Sequence, residues 1–421
     1  MALASSALAV AAPPAWRTGV AAVIGPAGAG HHYCTELARQ GWDCVAVILP
    51  TARPAAELCG TAAPPYLHRV RHDGSLRRTT KALRALGVGA VIAGSADGTE
   101  LADRIAHRLE LPGNDPTRSE LRQDLGRTAA ALTRAGITAP RVIRTTHLEE
   151  ALAWAAHCRL PQSVLKPADP TSPDSGHLCR TSGDIRSAWQ FLQHPAHAPR
   201  PLVLQEHLHG TQYLVHTVSS PGLDGTPNHT VTEIWSDTRT TDHRPYRTDL
   251  MSRHGLLPRA LALYTLRILT ALGITHGPAR SQIIYEPDRG PVLLSLRTDP
   301  HDTFTADVLY QATGSNPIRD TVHTLTTGRA EGLARTGRRP HLTKVSLVAN
   351  RHGALCEPLL HTLVNLPTVV ATTPLDPGAS VLAGTSPGQL LLMADDIRAI
   401  NQDHQTIRAA ESLGLYGWTT A

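Results

Sequence analysis

Three lysines stand out in a chain of 421 residues whose other basic side chains are all arginine: Lys81, Lys166 and Lys344. Lys166 closes the apolar run Val164-Leu165, at the end of an expected strand. A compact, mobile ammonium there suits a phosphate; the plain alternative is a solvated surface lysine. Asp299, His301 and Asp302 form a D-x-H-D cluster after another apolar run. Such a set reads either as a metal site or as a capped acidic turn. His31-His32 and His207-x-His209 admit the same two readings in a chain with 23 histidines. Gly25 to Gly30 (GPAGAG) carries three glycines without the G-x-G-x-x-G spacing of a dinucleotide loop, and reads as a strand-to-helix loop that needs small residues. No G-x-x-x-x-G-K-[ST] phosphate loop occurs. The six cysteines form no C-x-x-C pair and read as reduced thiols.

The elements that must position these residues follow from periodicity. The length implies about two or three domains, and a content of 41% hydrophobic and 18% charged residues suits a folded globular chain. No apolar run reaches the roughly 18 residues of a membrane span. Forty Lys and Arg against 35 Asp and Glu leave +5 with no basic block, so neither nucleic acid nor membrane is expected as a partner. Residues 1–18 read as a disordered tail, and a cytoplasmic location is expected. From Gly19 to Leu109, short apolar runs alternate with helical patterns, which predicts an open parallel α/β domain. One helix is predicted from Ser119 to Ala135. Beyond it, strands are expected at Leu202–Gln205, Gln212–Ser219 and Thr230–Trp235, a helix at Arg259–Leu272, and a hairpin pairing Ala279–Tyr285 with Val292–Leu296. Lys344 to Ala349 opens a last module ending in a helix from about Asp395 to Leu413.

Several pieces in order carry a resemblance. They are Ile92-Ala93-Gly94 with Leu111-Pro112-Gly113-Asn114, Arg122-Gln123-Asp124, Leu165-Lys166-Pro167, Gln205-Glu206 with His209-Gly210-Thr211-Gln212-Tyr213, and Ala271-Leu272-Gly273-Ile274 with His276-Gly277-Pro278-Ala279. Ser386-Pro387-Gly388 and Ile407-Arg408 complete the set. Together, from about Gly19 to Leu415, they resemble the ATP-grasp ligases, most closely the branch joining amino acids to other amines or carboxylates. The resemblance implies an α/β and α+β architecture. Residues 19–120 would form a Rossmann-like parallel domain and 121–205 a helix and lid. Residues 206–335 would form an antiparallel large subdomain, and 336–421 a C-terminal α+β segment. It also implies ATP and Mg²⁺ as cofactors and small-molecule carboxylate and amine substrates joined through an acyl phosphate. A homodimer in small-molecule biosynthesis goes with this.

Residue by residue, the resemblance assigns ATP contacts to Lys166, Glu206, Leu208 and Gln212, with Leu204 and Leu208 flanking an adenine, catalysis to Arg280, Arg297 and Asp299, and metal to Gln282, Asp299 and Asp302. The sequence departs from the pattern where charge matters. The first phosphate lysine is Leu125, with Arg122 or Arg127 as nearby substitutes. The lid loop Ala168–Gly176 holds Pro170 and Pro173 and one glycine, which removes backbone donors. The ribose acid is Gln212. The metal-ligand strands, which would carry Glu and then Glu-x-Asn-x-Arg, carry Gln282 and then Ser295, Arg297 and Asp299. Mg²⁺ prefers hard anionic oxygens, so acids would have to come from Asp299, Asp302, Glu286 or Glu233. Three functions stay open: a ligase with an altered ATP and Mg²⁺ site; a non-catalytic pseudo-ligase whose cleft binds a metabolite or partner protein; and an ATP-independent enzyme using Lys166, Glu206, Glu233 or Asp302.

Overall fold

Four parallel strands, in the order β3-β2-β1-β4, open the chain: β1 (Val20–Ile24), β2 (Asp43–Ile48), β3 (His68–Arg71) and β4 (Val88–Ala93). The computed structural model describes residues 19–50, 66–169, 176–193, 200–222, 226–240, 244–300, 306–328 and 340–417. The expected tail, Pro170, Pro173, His301 and Asp302 lie outside these residues. Helices α1 (His32–Arg39), α2 (Leu76–Ala85) and α3 (Thr99–Leu109) cover the sheet, so β1 is apolar on both faces, as a parallel strand between helices must be. The GPAGAG segment is a close crossing: a Cβ on Gly30 would stand 2.0 Å from the Gly94 carbonyl oxygen.

The single helix expected over Ser119–Ala135 is two, α4 (Ser119–Gln123) and α5 (Leu125–Arg134). Asp124 breaks it: its backbone is extended and its carboxylate accepts the Arg127 N–H at 3.0 Å, an N-cap in the middle of a helical pattern. The lid follows as an antiparallel sheet in the order β5-β8-β6-β7, built from β5 (Val142–Thr145), β6 (Ser163–Pro167), β7 (His177–Cys179) and β8 (Leu202–Glu206). Helices α6 (Leu148–His157) and α7 (Ser182–Leu192) bury Leu165, Leu202 and Leu204 on one face of it. Lys166 and Val203, paired in register, lie on the other face.

The largest sheet has eight strands in the order β13-β12-β9-β10-β11-β14-β18-β16. These are β9 (Thr211–Pro221), β10 (Pro227–Arg239), β11 (Pro245–Leu250), β12 (Gly277–Glu286), β13 (Gly290–Arg297), β14 (His341–Ser346), β16 (Val369–Thr372) and β18 (Gln389–Ala394). β15 (Gly353–Leu355) lies between β17 (Ser380–Val381) and β19 (Tyr416–Gly417) in a separate small sheet. Strands from residues 336–421 thus extend the same sheet, through the β11–β14 ladder from Arg247–Val345 to Asp249–Thr343.

Helix α8 (Leu256–Ala271) packs Leu261, Tyr264, Ile268 and Leu269 on Tyr213, Val215, Ile234, Ile283, Leu293 and Leu296. On the opposite face, α9 (Ala306–Thr313) sets Leu309 against Trp235, and α10 (Pro317–Thr327) joins Ile318 and Val322 to Tyr33 and Leu37 of the N-terminal domain. Helices α11 (Glu357–Val364) and α12 (Ile397–Leu413) close the C-terminal core.

Two polar joints align the N-terminal domain with the large sheet. Asn114 accepts the N–H groups of Thr275 and His276 at 2.8 and 3.0 Å and donates to the His276 carbonyl at 3.2 Å, fixing the approach to β12. Arg122 of α4 pairs with Asp103 of α3, both side chains almost without solvent exposure. Removing one partner of a buried pair strands the other charge, so Arg122→Ala is expected to lower unfolding stability by about 3–5 kcal/mol in denaturant titration.

Candidate active site

Lys166 lies on the lid-sheet face away from α6 and α7, and the assigned positions of β9, β12 and β13 lie on the large-sheet face opposite α8, the cleft face. Strand register decides which residues line it. With Tyr213, Val215, Ile234 and Ile283 committed to α8, the alternating positions Gln212, Leu214, His216, Glu233, Trp235, Asp237, Arg280 and Gln282 share the cleft face. An irregularity at Leu294 keeps both Leu293 and Leu296 in the core, and leaves Ser295 opposite Gln282 and Arg297 opposite Arg280.

In the lid, Lys166 is half-buried and has no carboxylate partner among the described residues. Burial lowers its ammonium from 10.5 to about 8. Leu125 packs on Ala168, Val203 and Val142, an apolar plug on the face that carries Lys166. Neither expected substitute replaces it as a phosphate cation. Arg122 is spent on Asp103, and Arg127 pairs with Glu120. Leu204, an expected adenine neighbour, is in the lid core instead; Leu208 is buried at the lid's exit.

Glu206 is a tether. Its carboxylate accepts the Arg141 N–H at 2.9 Å, Arg141 Nε at 2.7 Å and Arg289 Nη1 at 2.8 Å, and so ties the lid to the β12–β13 turn. Burial alone would raise its pKa, but these donors outweigh it and hold the pKa below the usual value. Gln212 donates to Asp237 at 2.5 Å from the next strand, an acid the sequence reading missed. Asp237 also accepts Arg239 Nε and Thr248 Oγ1, each at 2.9 Å.

Of the positions assigned to metal, the two described ones, Gln282 and Asp299, are bonded to neighbouring side chains. Ser295 Oγ donates to Gln282 Oε1 at 2.9 Å. Arg297 clamps Asp299 with two parallel bonds at 3.0 and 2.8 Å. Glu286 accepts the His209 N–H at 3.1 Å and pairs with Arg289 at the far end of β12. Among the described residues no three His, Cys, Asp or Glu side chains converge on one point. This donor set does not fit Mg²⁺: a neutral amide, a hydroxyl and a guanidinium stand where hard anions are needed. His207 and His209 meet ring to ring at 3.3 Å, and His31 bonds Tyr66 at 3.0 Å.

The remaining acid on the cleft face is Glu233, which is fully buried. Its Oε2 accepts Trp235 Nε1 at 2.8 Å and lies 3.3 Å from His216 Nδ1. Burial opposes its charge, yet His216, Lys344 and Trp235 together keep its pKa low. A carboxylate there makes Nδ1 the protonated nitrogen of His216. A histidine and a glutamate inside the apolar runs Tyr213–Val218 and Val231–Trp235 were the available sequence signal for this pair.

The lowered pKa of Lys166 sets a sign. The folded chain sheds this proton near pH 8, while the unfolded chain holds it to about 10.5. The unfolding free energy therefore gains a contribution that rises with pH between about 8 and 10.5. Lys166→Met is expected to remove that rise in denaturant titrations. Amine acylation of Lys166, followed by mass spectrometry, is expected to have its midpoint near pH 8.

No protein-family model matches the chain. Among characterised proteins it is similar to dapdiamide A synthase of Enterobacter agglomerans, 24% identical over 243 residues, covering 53% of this chain and 54% of that one. The chain thus spans about half the length of that relative. Among solved structures it is similar to an L-amino acid ligase from Bacillus licheniformis, with a TM-score of 0.75 at 14% identity over 93% of this chain and 97% of that one. It is also similar to the carboxyaminoimidazole ribonucleotide synthase of Aspergillus clavatus complexed with ATP, with a TM-score of 0.71 at 11% identity over 94% and 99%. With its parallel domain, antiparallel lid and large antiparallel sheet in that order, the chain has the ATP-grasp fold and is similar in structure to an L-amino acid ligase.

Proposed function

We propose that this protein is a pseudo-ligase: an ATP-grasp fold that no longer carries out Mg²⁺-dependent phosphoryl transfer and keeps its cleft for binding a small anionic metabolite. One observation carries this reading. The four positions at which the resemblance puts metal ligands and a catalytic arginine are joined in two closed pairs, Gln282 with Ser295 and Arg297 with Asp299. Phosphoryl transfer needs cations placed on the transferring oxygens. Here Leu125 supplies none, and Arg297 would repel a metal. Among the described positions that the resemblance assigns to ATP, Lys166 offers a phosphate contact, and Gln212 with Asp237 a contact to a hydroxyl. Nucleotide binding through these would be weak and independent of the metal.

The relatives' names support the chemical setting. One structural relative is an L-amino acid ligase and another was crystallised with ATP. The proposal accordingly takes a small molecule bearing a carboxylate or amine as the ligand, in a cytoplasmic biosynthetic setting, with a homodimer as the assembly. Among the described residues no helix is long and apolar enough to cross a membrane.

Calorimetric titration with ATP, with and without Mg²⁺, tests the reading. The expected outcome is binding no tighter with Mg²⁺ than without it, and no ADP release with any amino acid pair. Tight Mg²⁺-dependent binding that is abolished by Lys166→Ala would overturn it and restore the ligase.

A further inference from the structure

Among the described cysteines, two thiols meet: Cys34 on α1 and Cys44 on β2. The turn after α1 folds the chain back, so both side chains enter one core cluster with Ala21, Val23, Tyr33 and Leu37. Each is 2% exposed, and each is a free thiol. Tyr66 packs on the same cluster, its phenol held by His31 Nδ1 at 3.0 Å.

The pair is unsymmetrical. Cys34 stands in the first turn of α1, where the positive end of the helix favours a thiolate. The Cys44 thiol donates to it, and that hydrogen bond lowers the pKa of Cys34 against the effect of burial. The same bond, with burial, raises the pKa of Cys44. One sulfur is thus ready to attack, with a second in contact to follow it. Cys179 shows the contrast: its thiol donates to the His177 carbonyl at 3.4 Å and is pushed up to about 11 by burial.

The place of the pair gives it a consequence. Helix α1 carries the joint to α10, through Tyr33 and Leu37 against Ile318 and Val322 and through Glu36, which accepts Arg319 Nε at 3.1 Å. A covalent link from Cys34 to β2 would fix the helix on which that joint rests.

We propose that Cys34 and Cys44 are a redox-active dithiol, closed by a small hydroperoxide to a reversible disulfide that holds α1 on the parallel sheet. The Cys34 thiolate attacks one peroxide oxygen; the O–O bond breaks, hydroxide leaves, and Cys34 becomes a sulfenic acid. Cys44 gives up its proton, its sulfur attacks Cys34 Sγ, and the S–O bond breaks as the S–S bond forms. The hydroxide takes up the proton as water. Two thiols are oxidised, and one hydrogen peroxide is reduced to two waters. Neither cysteine is among the residues assigned to ATP, catalysis or metal, so this chemistry is independent of the pseudo-ligase reading.

The test treats the folded, reduced full chain with hydrogen peroxide, alkylates the remaining thiols and maps the cysteines by mass spectrometry. The expected result is the loss of two hydrogens and a link between Cys34 and Cys44 that dithiothreitol undoes. Cys59→Ser, outside the described residues, is expected to close the same link. Cys44→Ala is expected to lose it and to leave Cys34 as a sulfenic acid that dimedone traps. Glutathione disulfide is expected to leave the pair reduced, because neither sulfur is open to a bulky reagent. Amide hydrogen exchange in α1 is expected to slow in the oxidised chain. Thiols that both stay open to alkylation after peroxide, or a link that runs to Cys59, would overturn the proposal. Closure by glutathione disulfide as fast as by peroxide would place the reaction in opened chains and overturn it too. Unchanged exchange in α1 would overturn the hold on the helix.

Discussion

Side chains in a strand alternate between faces, so committing one face of the large sheet to α8 leaves no freedom in what the other face presents. Tyr213, Val215, Ile234, Ile283, Leu293 and Leu296 are buried with Leu261 and Ile268. A slip of one residue in β9 or β12 would expose them and bury Gln212, His216, Arg280 and Gln282 in an apolar core. The apolar side therefore fixes the register of the polar side. The local irregularity at Leu294 follows the same constraint, since without it Leu293 and Leu296 could not both reach α8.

Given that register, the cleft is a question of charge balance. Four arginine- or histidine-bearing positions, His216, Arg239, Arg280 and Arg297, and several acids crowd one face, and two of the four are satisfied two residues away: Arg297 by Asp299 and Arg239 by Asp237. Each short pair lowers the cost of placing charge on a partly buried sheet, and each also removes a carboxylate that could have met a metal. Glu206 follows the same pattern at the hinge, where two arginines hold it and join the lid to the large sheet. Pairing of this kind rigidifies the cleft and leaves unpartnered atoms in few places, chiefly around His216, Glu233 and Asn316.

Much of this was legible in the sequence. The strand carrying Lys166, the hairpin carrying Gln282 and Ser295 and the order of the domains follow from periodicity and turn residues, which are local. The residues at the positions that the resemblance gives to metal, Gln282 and Ser295, were legible because each is a residue type at a fixed place on a strand. What was not legible depends on partners distant in sequence. Asp237 meets Gln212 and Arg289 meets Glu206 only through the pairing of strands. The break at Asp124 was hidden because the apolar spacing runs through it, while the cap competes for the backbone. Leu204 was placed at the adenine although its pleat turns it to α6 and α7.

The division between faces also separates the residues that hold the fold from those that would do chemistry. The residues that stabilise the large sheet point to α8, and those that would bind a metal point away from it. Replacing a metal-binding Glu by Gln282 or Ser295 leaves every contact in the α8 core untouched, and the new pair gains a hydrogen bond of its own. A cluster of acids kept for Mg²⁺ is a source of repulsion when the ion is absent, so neutral or paired replacements ease the sheet. Selection on stability and selection on catalysis thus act on opposite faces of the same strands. On the pseudo-ligase reading, the cleft face is free to change while the core face is not. The buried His216–Glu233 pair runs against that drift. It keeps a fully buried carboxylate in place, at a desolvation cost that the core does not require. That cost falls on the cleft face, where Trp235 and His216 hold the carboxylate, and not on the α8 core.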